Sequence, residues 1–225
     1  MSLFDLPPVE AVADHFVRAL AQSRRDDYPY RHWKLEDTLP EIVAFNIIAL
    51  PIIPMYCGNC DGTRIQDNSK RTFLDPGTQA RYPVLGLLAK AMQSQKVTRQ
   101  IEKICETDLT DSYLRIEYIQ DTDGAWLEPH PDIKEKIFSA VLYLFTGPDK
   151  SDWGTDIYDR DTRWVGRATG EFNSCVIFLP TPHTWHGYDK RPIAGIRRLM
   201  ELNYVRGDWR DRNQLAFPQA PINRS

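Results

Sequence analysis

The second half of the chain, residues 111–205, constrains the fold most, because short β-type segments follow one another there without a helical pattern between them. Each segment is rich in β-branched and aromatic residues, and turn segments such as DTDG, TGPDKSDWG and RATGEFN lie between them. The β-type segments are SYLRIEYIQ, KIFSAVLYLF, TDIYDR, TRWVGRA, NSCVIFLP and IRRLMELNYV. Such a run of strands predicts an antiparallel sandwich, barrel or jelly roll.

Residues 1–110 have helical periodicity instead and are predicted to support the β-region. The apolar residues of PPVEAVADHFVRALAQ that repeat at helical spacing are Val9, Val12, Phe16 and Leu20. Thr38 and Glu41 predict a capping box for a second helix, and YPVLGLLAKAMQSQKVTRQIEKICE predicts one long amphipathic helix. A long loop, GNCDGTRIQDNSKRTFLDPGTQ, lies between these two helices. We expect one domain with three parts: a helical support and loop (1–110), a β-core (111–205) and a tail (206–225).

Composition and charge argue against several classes of partner. The chain has 225 residues, of which 42% are hydrophobic and 26% charged, as in ordinary globular proteins. A net charge of −3 and the lack of a lysine and arginine block argue against nucleic acid. The longest apolar stretch, IVAFNIIALPIIPMY, is too short to span a bilayer, and the N-terminal sequence does not resemble a secretory signal. We therefore expect a cytoplasmic protein without a membrane partner.

The four cysteines, Cys57, Cys60, Cys105 and Cys175, are predicted to be reduced thiols. Cys57 and Cys60 form a C-x-x-C motif, which is typical of half a zinc site or of a redox pair. No second C-x-x-C and no nearby H-x-x-x-H motif completes a zinc site, and no βαβ pattern surrounds the motif.

His130 and Asp132 lie two positions apart in EPHPDIKEK, between two β-type segments. Residues i and i+2 of a strand share a face, so this imidazole and this carboxylate converge on one point. The simpler interpretation is a surface loop with two solvated polar residues. If the pair binds a divalent metal, a third ligand has to come from another strand.

Five histidines limit the choice of that third ligand. His15 and His32 lie in the N-terminal half, where surface or packing roles are predicted. His183 and His186 follow the strand NSCVIFLP, and either residue would complete a 2-His-1-carboxylate triad. This triad suits non-haem Fe(II), because it leaves three coordination positions for substrates and oxygen.

Residues 113–205 resemble the 2-oxoglutarate/Fe(II)-dependent oxygenase superfamily, and within it the prolyl-hydroxylase-like branch. The segments YLRIEYIQDTDGAWLEPHPD, SAVLYLF, WGTDIY, VIFLPTPHTWHG and AGIRRLMELNYV occur in the order typical of that superfamily. The resemblance implies a mainly β fold, a double-stranded β-helix (jelly roll) supported by N-terminal helices. It also implies that His130, Asp132 and His186 are the ligands of Fe(II), with His183 as the alternative distal ligand or a substrate-site residue.

The resemblance further implies that an arginine on the last long strand anchors 2-oxoglutarate. A planar guanidinium suits a buried carboxylate because it donates two parallel hydrogen bonds. Arg197 matches the family position, although Leu199 stands where the family commonly has serine, and Arg198 is the alternative in the other frame of the strand. The resemblance also places Tyr118 and Tyr143 against the cosubstrate, whereas aromatic residues in strands are otherwise core residues.

Three further residues are predicted near the site on weaker grounds. Trp126 and Trp185 flank the ligand segments and are predicted to shield the site from water. Arg71, in KRTFLD, is predicted either to reach the substrate site from the N-terminal half or to be solvated.

The implied activity is that of a dioxygenase that uses O2 and 2-oxoglutarate to hydroxylate a small-molecule or carrier-bound substrate, with release of succinate and CO2. The carboxylate of Asp132 favours hydroxylation, because halogenating relatives have a small residue at this position. Asn203 stands where nucleic-acid demethylases of the superfamily carry a second arginine. The alternative is a cupin-like metal-binding isomerase, epimerase or sensor that uses the same ligands without 2-oxoglutarate.

Overall fold

The computed structural model describes residues 5–54, 56, 60–63, 71–146 and 150–223. Within these residues, five α-helices precede the main run of strands: α1 (Val9–Ala21), α2 (Glu41–Ile48), α3 (Pro76–Arg81), α4 (Pro83–Gln93) and α5 (Gln95–Cys105). None of the described helices combines the length and the apolar character that crossing a bilayer requires.

The strands among the described residues form two antiparallel sheets. In chain order the strands are β1 (Arg24–Asp26), β2 (His32–Leu35), β3 (Thr72–Phe73), β4 (Tyr113–Asp121), β5 (Leu127–His130), β6 (Lys136–Tyr143), β7 (Asp156–Tyr158), β8 (Trp164–Arg167), β9 (Ser174–Phe178), β10 (His186–Tyr188) and β11 (Arg197–Val205). The major sheet has the order β1-β2-β9-β6-β11-β4-β3, and the minor sheet has the order β5-β10-β7-β8. The fold is mainly β, a jelly roll, as predicted.

The two faces of the major sheet have different chemistry because side chains alternate along each strand. On β11, Met200, Leu202 and Tyr204 belong to the large core that also includes the buried faces of α1, α4 and α5. Leu199 belongs instead to a smaller core inside the jelly roll. The helices therefore stabilise the back of the major sheet and leave its other face to line the interior.

The N-terminal half contributes more than helices. Two short strands, β1 and β2, extend the major sheet through the pairing of β2 with β9, and β3 pairs with β4 at the other edge. The predicted capping box at Thr38 is wrong, because α2 begins after Pro40 without a side-chain cap. The predicted long helix is interrupted at Ser94, whose extended backbone ends α4 and whose hydroxyl caps α5 by accepting from Val97 N.

The C-terminal tail packs beside β4 rather than lying loosely on the surface. Ala216 N donates to Leu114 O at 2.9 Å, and Ile222 N donates to Ser112 O at 2.8 Å. Leu215 and Ala216 are fully buried. The tail therefore packs along the first residues of β4 as an ordered part of the fold.

The prediction for the cysteines is partly wrong. Cys60 is disulfide-bonded, and its partner lies outside the described residues, as does Cys57. Cys105 and Cys175 are free and buried, and burial raises the pKa of Cys105 to about 12 and raises the pKa of Cys175 as well. These two thiols therefore stay protonated and unreactive.

Candidate metal centre and inner cavity

Three of the predicted ligands converge at the open end of the jelly roll. His130 ends β5, and β10 pairs with β5 so that His186 lies directly opposite His130. Side chains of directly opposed residues share a face of the sheet, and the two imidazole ring centroids are 4.5 Å apart. Asp132 follows in the loop before β6, and the candidate ligand atoms of His130, Asp132 and His186 all lie within 4.8 Å of one another.

The close pairing of β5 and β10 depends on the residue after His186. A Cβ on Gly187 would lie 2.8 Å from Leu127 O, which is closer than side chains normally approach a carbonyl oxygen. Glycine at this position therefore allows β10 to approach β5 closely enough to bring the two histidines together.

Backbone carbonyl groups orient both imidazoles. Nδ1 of His130 lies 2.8 Å from Glu128 O, and Nδ1 of His186 lies 2.9 Å from Thr184 O. A carbonyl oxygen only accepts hydrogen bonds, so each Nδ1 carries the proton and donates. Nε2 of each ring is therefore the nitrogen with a lone pair for a metal, an arrangement common among metal-binding histidines.

Hydrogen bonds from neighbouring side chains fix the carboxylate of Asp132. Lys136 Nζ donates to Oδ1 at 2.6 Å, and Ser139 Oγ donates to Oδ2 at 2.6 Å. Asn203 Nδ2 donates in turn to Ser139 Oγ at 2.9 Å. The Asp132 side chain is only 2% exposed, and a carboxylate oxygen that accepts a hydrogen bond can also bind a cation.

His183 does not reach this centre. It is exposed in the turn before β10, where its backbone N donates to Thr181 Oγ1 at 3.2 Å. The structure thus brings His186 to His130 and Asp132, and leaves the alternative ligand outside the cluster.

These observations fit a divalent transition metal. Two imidazole nitrogens and one carboxylate are the donor set of non-haem Fe(II) sites. The donors converge, the rings present Nε2, and the carboxylate is buried and oriented.

A cavity that we call the inner cavity extends from His186 into the jelly roll. Six of the residues that line it are Asp121, Trp126, Thr155, His186, Tyr188 and Arg197. Arg197 is 3% exposed, and its Nε donates to Trp153 O at 2.6 Å. The guanidinium also stacks on the Tyr188 ring, with its central carbon 3.8 Å from the ring centroid. The inner cavity therefore contains a fixed cation.

Asp121 already pairs with this cation. Arg197 Nη1 donates to Asp121 Oδ2 at 2.5 Å, and the two residues are directly opposite each other on β11 and β4. The register of the sheet thus places a carboxylate beside the predicted anchor for 2-oxoglutarate, and the sequence of neither strand predicts this pairing.

Tyr188 is a second unanticipated residue of the inner cavity. It is 3% exposed, and its hydroxyl is buried without a hydrogen-bond partner among the described residues. The Arg191 guanidinium also lies over its ring, at 4.2 Å from the centroid. A buried hydroxyl of this kind is available to a ligand in the cavity.

The two predicted cosubstrate tyrosines lie on opposite faces of the major sheet. Tyr143 points into the jelly roll, where its hydroxyl donates to Thr155 Oγ1 at 2.7 Å. Burial raises the pKa of Tyr143 to about 12, so its hydroxyl stays protonated. Tyr118 belongs to the core behind the sheet, near Arg198, and the structure does not bring it to the inner cavity. Strand alternation explains the difference, because Ile119 and Asp121 take the inward positions of β4.

Arg71 and Trp126 both line the inner cavity. Trp126 Nε1 donates to Cys60 O at 2.9 Å, which ties this indole to the segment 60–63. Arg71 is not solvated: its side chain is 4% exposed, and Nη1 donates to Glu117 at 2.5 Å and to Glu201 at 3.4 Å.

Arg71 is part of a buried charge chain in which cations and carboxylates alternate. In order, its members are Arg115, Glu117, Arg71, Glu201, Lys136 and Asp132. Each of these six side chains is at most 9% exposed. The buried charge chain thus connects the N-terminal half to a candidate metal ligand.

Comparisons with known proteins identify the fold. No protein-family model matches the chain, and no curated protein matches it by sequence. A prolyl 4-hydroxylase structure from Phytophthora capsici is similar over 90% of this chain and 66% of its own, with a TM-score of 0.61 and 13% identity. A Pseudomonas putida prolyl 4-hydroxylase covers 90% of this chain and 99% of its own, with a TM-score of 0.54 and 20% identity.

A third similar structure is a 2OG-Fe(II) oxygenase family oxidoreductase from Burkholderia pseudomallei. It covers 89% of this chain and 93% of its own, with a TM-score of 0.54 and 12% identity. The chain spans 66% of the length of the Phytophthora protein and nearly all of the two bacterial proteins. As the sequence resemblance predicted, this chain has the fold shared by prolyl 4-hydroxylases and the 2OG-Fe(II) oxygenase family.

Proposed function

We propose that this protein is an Fe(II)- and 2-oxoglutarate-dependent dioxygenase that hydroxylates a small-molecule or carrier-bound substrate and releases succinate and CO2. The observation that carries the proposal is a convergent His-Asp-His cluster that opens into a cavity with a buried arginine. A metal-binding isomerase or sensor has no need for such a cation beside its metal.

His130, Asp132 and His186 would hold the iron. When bound, Fe(II) supplies the activation of O2 that couples oxidative decarboxylation of 2-oxoglutarate to oxidation of the substrate. The protein contributes orientation: the carbonyl groups of Glu128 and Thr184 fix the imidazoles, and Lys136 and Ser139 fix the carboxylate.

Arg197 would bind the distal carboxylate of 2-oxoglutarate at the inner end of the cavity. Its Nε is committed to Trp153 O and its Nη1 to Asp121, so Nη2 and the Tyr188 hydroxyl are the donors that face an incoming carboxylate. Tyr143 supports this end through Thr155, which lines the cavity. Trp126 and Phe178 add apolar walls that exclude water from the cosubstrate.

Asp121 gives this proposal a specific prediction. Like charges about 4 Å apart repel by about 4 kcal/mol at an effective dielectric constant of about 20. The Asp121→Asn variant removes this charge at nearly constant size, while Trp153 O and the Tyr188 ring still hold Arg197. We expect the variant to bind 2-oxoglutarate about tenfold or more tightly than wild type, measured by calorimetry on anaerobic, iron-loaded protein. Weaker binding would show that Asp121 positions Arg197 rather than competing with the cosubstrate.

The proposed function itself is tested by product formation. Iron-loaded protein incubated with O2 and 2-oxoglutarate should release CO2 and succinate in equal amounts, and a panel of small molecules should increase the rate. The His186→Ala variant should release neither product above background. If iron-loaded wild type does not bind 2-oxoglutarate, the oxygenase proposal is wrong and the cupin-like alternative is favoured.

A further inference from the structure

A second cavity, which we call the outer cavity, lies on the open side of the metal centre. Its volume is about 450 Å³, which is in the range of small-molecule sites. Its wall includes Arg115, His130, Asp132, Lys136, Trp209 and Gln214. Since both His130 and Asp132 form part of its wall, a molecule bound here lies beside the proposed iron.

Arg115 is a fixed cation in the wall of the outer cavity. Nε donates to Gln214 Oε1 at 2.8 Å, and Nη1 donates to Glu117 and, at 3.1 Å, to Asn203 Oδ1. The central carbon of the guanidinium lies over the ring of Phe73 and over that of Trp209, at 4.9 and 5.0 Å from their centroids. Within the described part of the chain, no acceptor is bonded to Nη2. One edge of an immobilised guanidinium is thus left to bind an anion.

Trp209 is an independent indication of a ligand in the same cavity. This residue is 9% exposed, and its Nε1–H is buried without an acceptor among the residues that the structure describes. Leaving such a donor unsatisfied is unfavourable, because it has lost its hydrogen bonds to water without a replacement. An acceptor atom of a bound molecule would satisfy the indole N–H next to the guanidinium of Arg115.

The charges around the outer cavity indicate which kind of molecule it takes. The buried charge chain contains three cations and three carboxylates and is neutral overall, so the unbonded edge of Arg115 and the indole N–H of Trp209 make the inner end of the cavity a donor site. The rim is acidic, because Glu135, Asp208 and Asp211 outnumber Arg210 among its lining residues. An anion is therefore favoured at the inner end and a cation at the rim.

We propose that the outer cavity binds the primary substrate and that this substrate is a small zwitterion of the α-amino acid class. Its carboxylate is bound by Arg115 and Trp209, and its ammonium group lies toward the rim carboxylates of Asp208 and Asp211. This assignment rests on the proposed oxygenase function for the reaction, but the binding itself does not require turnover.

The test measures binding of matched ligands to anaerobic protein loaded with Fe(II) and 2-oxoglutarate. Each standard amino acid is titrated by calorimetry in three forms: free, N-acetylated, and as the carboxamide. We expect at least one free amino acid to bind, and both of its derivatives to bind about tenfold or more weakly, because each derivative lacks one of the two charges.

Two variants locate the site. Trp209→Phe keeps an aromatic ring against Arg115 and removes only the N–H, so the affinity for the free amino acid should fall about tenfold. Asp208→Asn changes an exposed side chain that the fold does not need, and it should weaken binding of the free amino acid but not of the N-acetyl form.

The possible outcomes separate this proposal from the proposed function. If no amino acid binds while 2-oxoglutarate does, the substrate class is wrong and the oxygenase proposal stands. If the N-acetylated forms and the carboxamides bind as tightly as the free amino acids, the cavity takes a segment of a peptide and the proposal is overturned. Binding of an amino acid to protein that does not bind 2-oxoglutarate would support the outer cavity and overturn the oxygenase function.

Discussion

The His186→Ala variant is expected to bind no stoichiometric Fe(II), whereas wild type binds one ion per chain. Removing one of three protein ligands leaves His130 and Asp132, and two ligands do not hold a divalent ion against water. The fold should survive, because His186 is the first residue of the short strand β10 and the large core is formed elsewhere. Metal content after anaerobic loading and desalting measures the effect, and circular dichroism verifies the fold.

His183→Ala is the matched control for this experiment. It removes the same side chain three positions earlier, in an exposed turn that does not reach the metal centre. Metal binding should remain at the wild-type level. If instead His183→Ala loses iron and His186→Ala keeps it, the distal ligand has been wrongly assigned.

The Arg197→Ala variant is expected to bind 2-oxoglutarate more weakly by roughly two to three orders of magnitude. Breaking a buried charge pair costs about 3–5 kcal/mol, and about 1.4 kcal/mol corresponds to a factor of ten. The variant also leaves Asp121 without its partner, so a negative charge then faces the incoming dicarboxylate. Iron binding should be unchanged, because Arg197 is not a ligand.

Arg198→Ala provides the adjacent control. Arg198 lies on the opposite face of β11, near Tyr118 and behind the sheet, so its loss should leave the affinity for 2-oxoglutarate within about twofold of wild type. Calorimetry on both variants decides whether Arg197 or Arg198 binds the carboxylate of 2-oxoglutarate. A large loss of affinity in Arg198→Ala alone would reverse the assignment of the anchor.

The sequence predicted those parts of the site that depend on local spacing. The run of β-type segments predicted an antiparallel sandwich, barrel or jelly roll, and the family resemblance selected the jelly roll. The convergence of His130 with Asp132 followed from their i, i+2 spacing. The prediction that Arg197, rather than Arg198, points inward from β11 also agrees with the structure, in which Arg197 lines the inner cavity.

What the sequence did not predict depends on contacts between distant segments. Asp121 contacts Arg197 only because β4 and β11 pair in one particular register. The sequence of one strand does not show in which register it pairs with another. Tyr118 was assigned to the wrong face, because an inward and an outward tyrosine in a fully buried strand look alike in the sequence. Tyr188 stood in a strand of three residues, which is too short to show a period.

The buried charge chain from Arg115 to Asp132 has an evolutionary consequence. Loss of any one of its six side chains leaves an unpaired charge in the interior. Breaking a buried ion pair in this way costs about 3–5 kcal/mol, which is a large part of a typical domain's free energy of unfolding. Substitutions there are therefore tolerated mainly in compensating pairs, such as Glu117 with Arg71 or Glu201 with Lys136. Homologues that have diverged at these positions should show correlated exchanges of charge, and the N-terminal half should therefore evolve in step with the metal centre rather than independently of it.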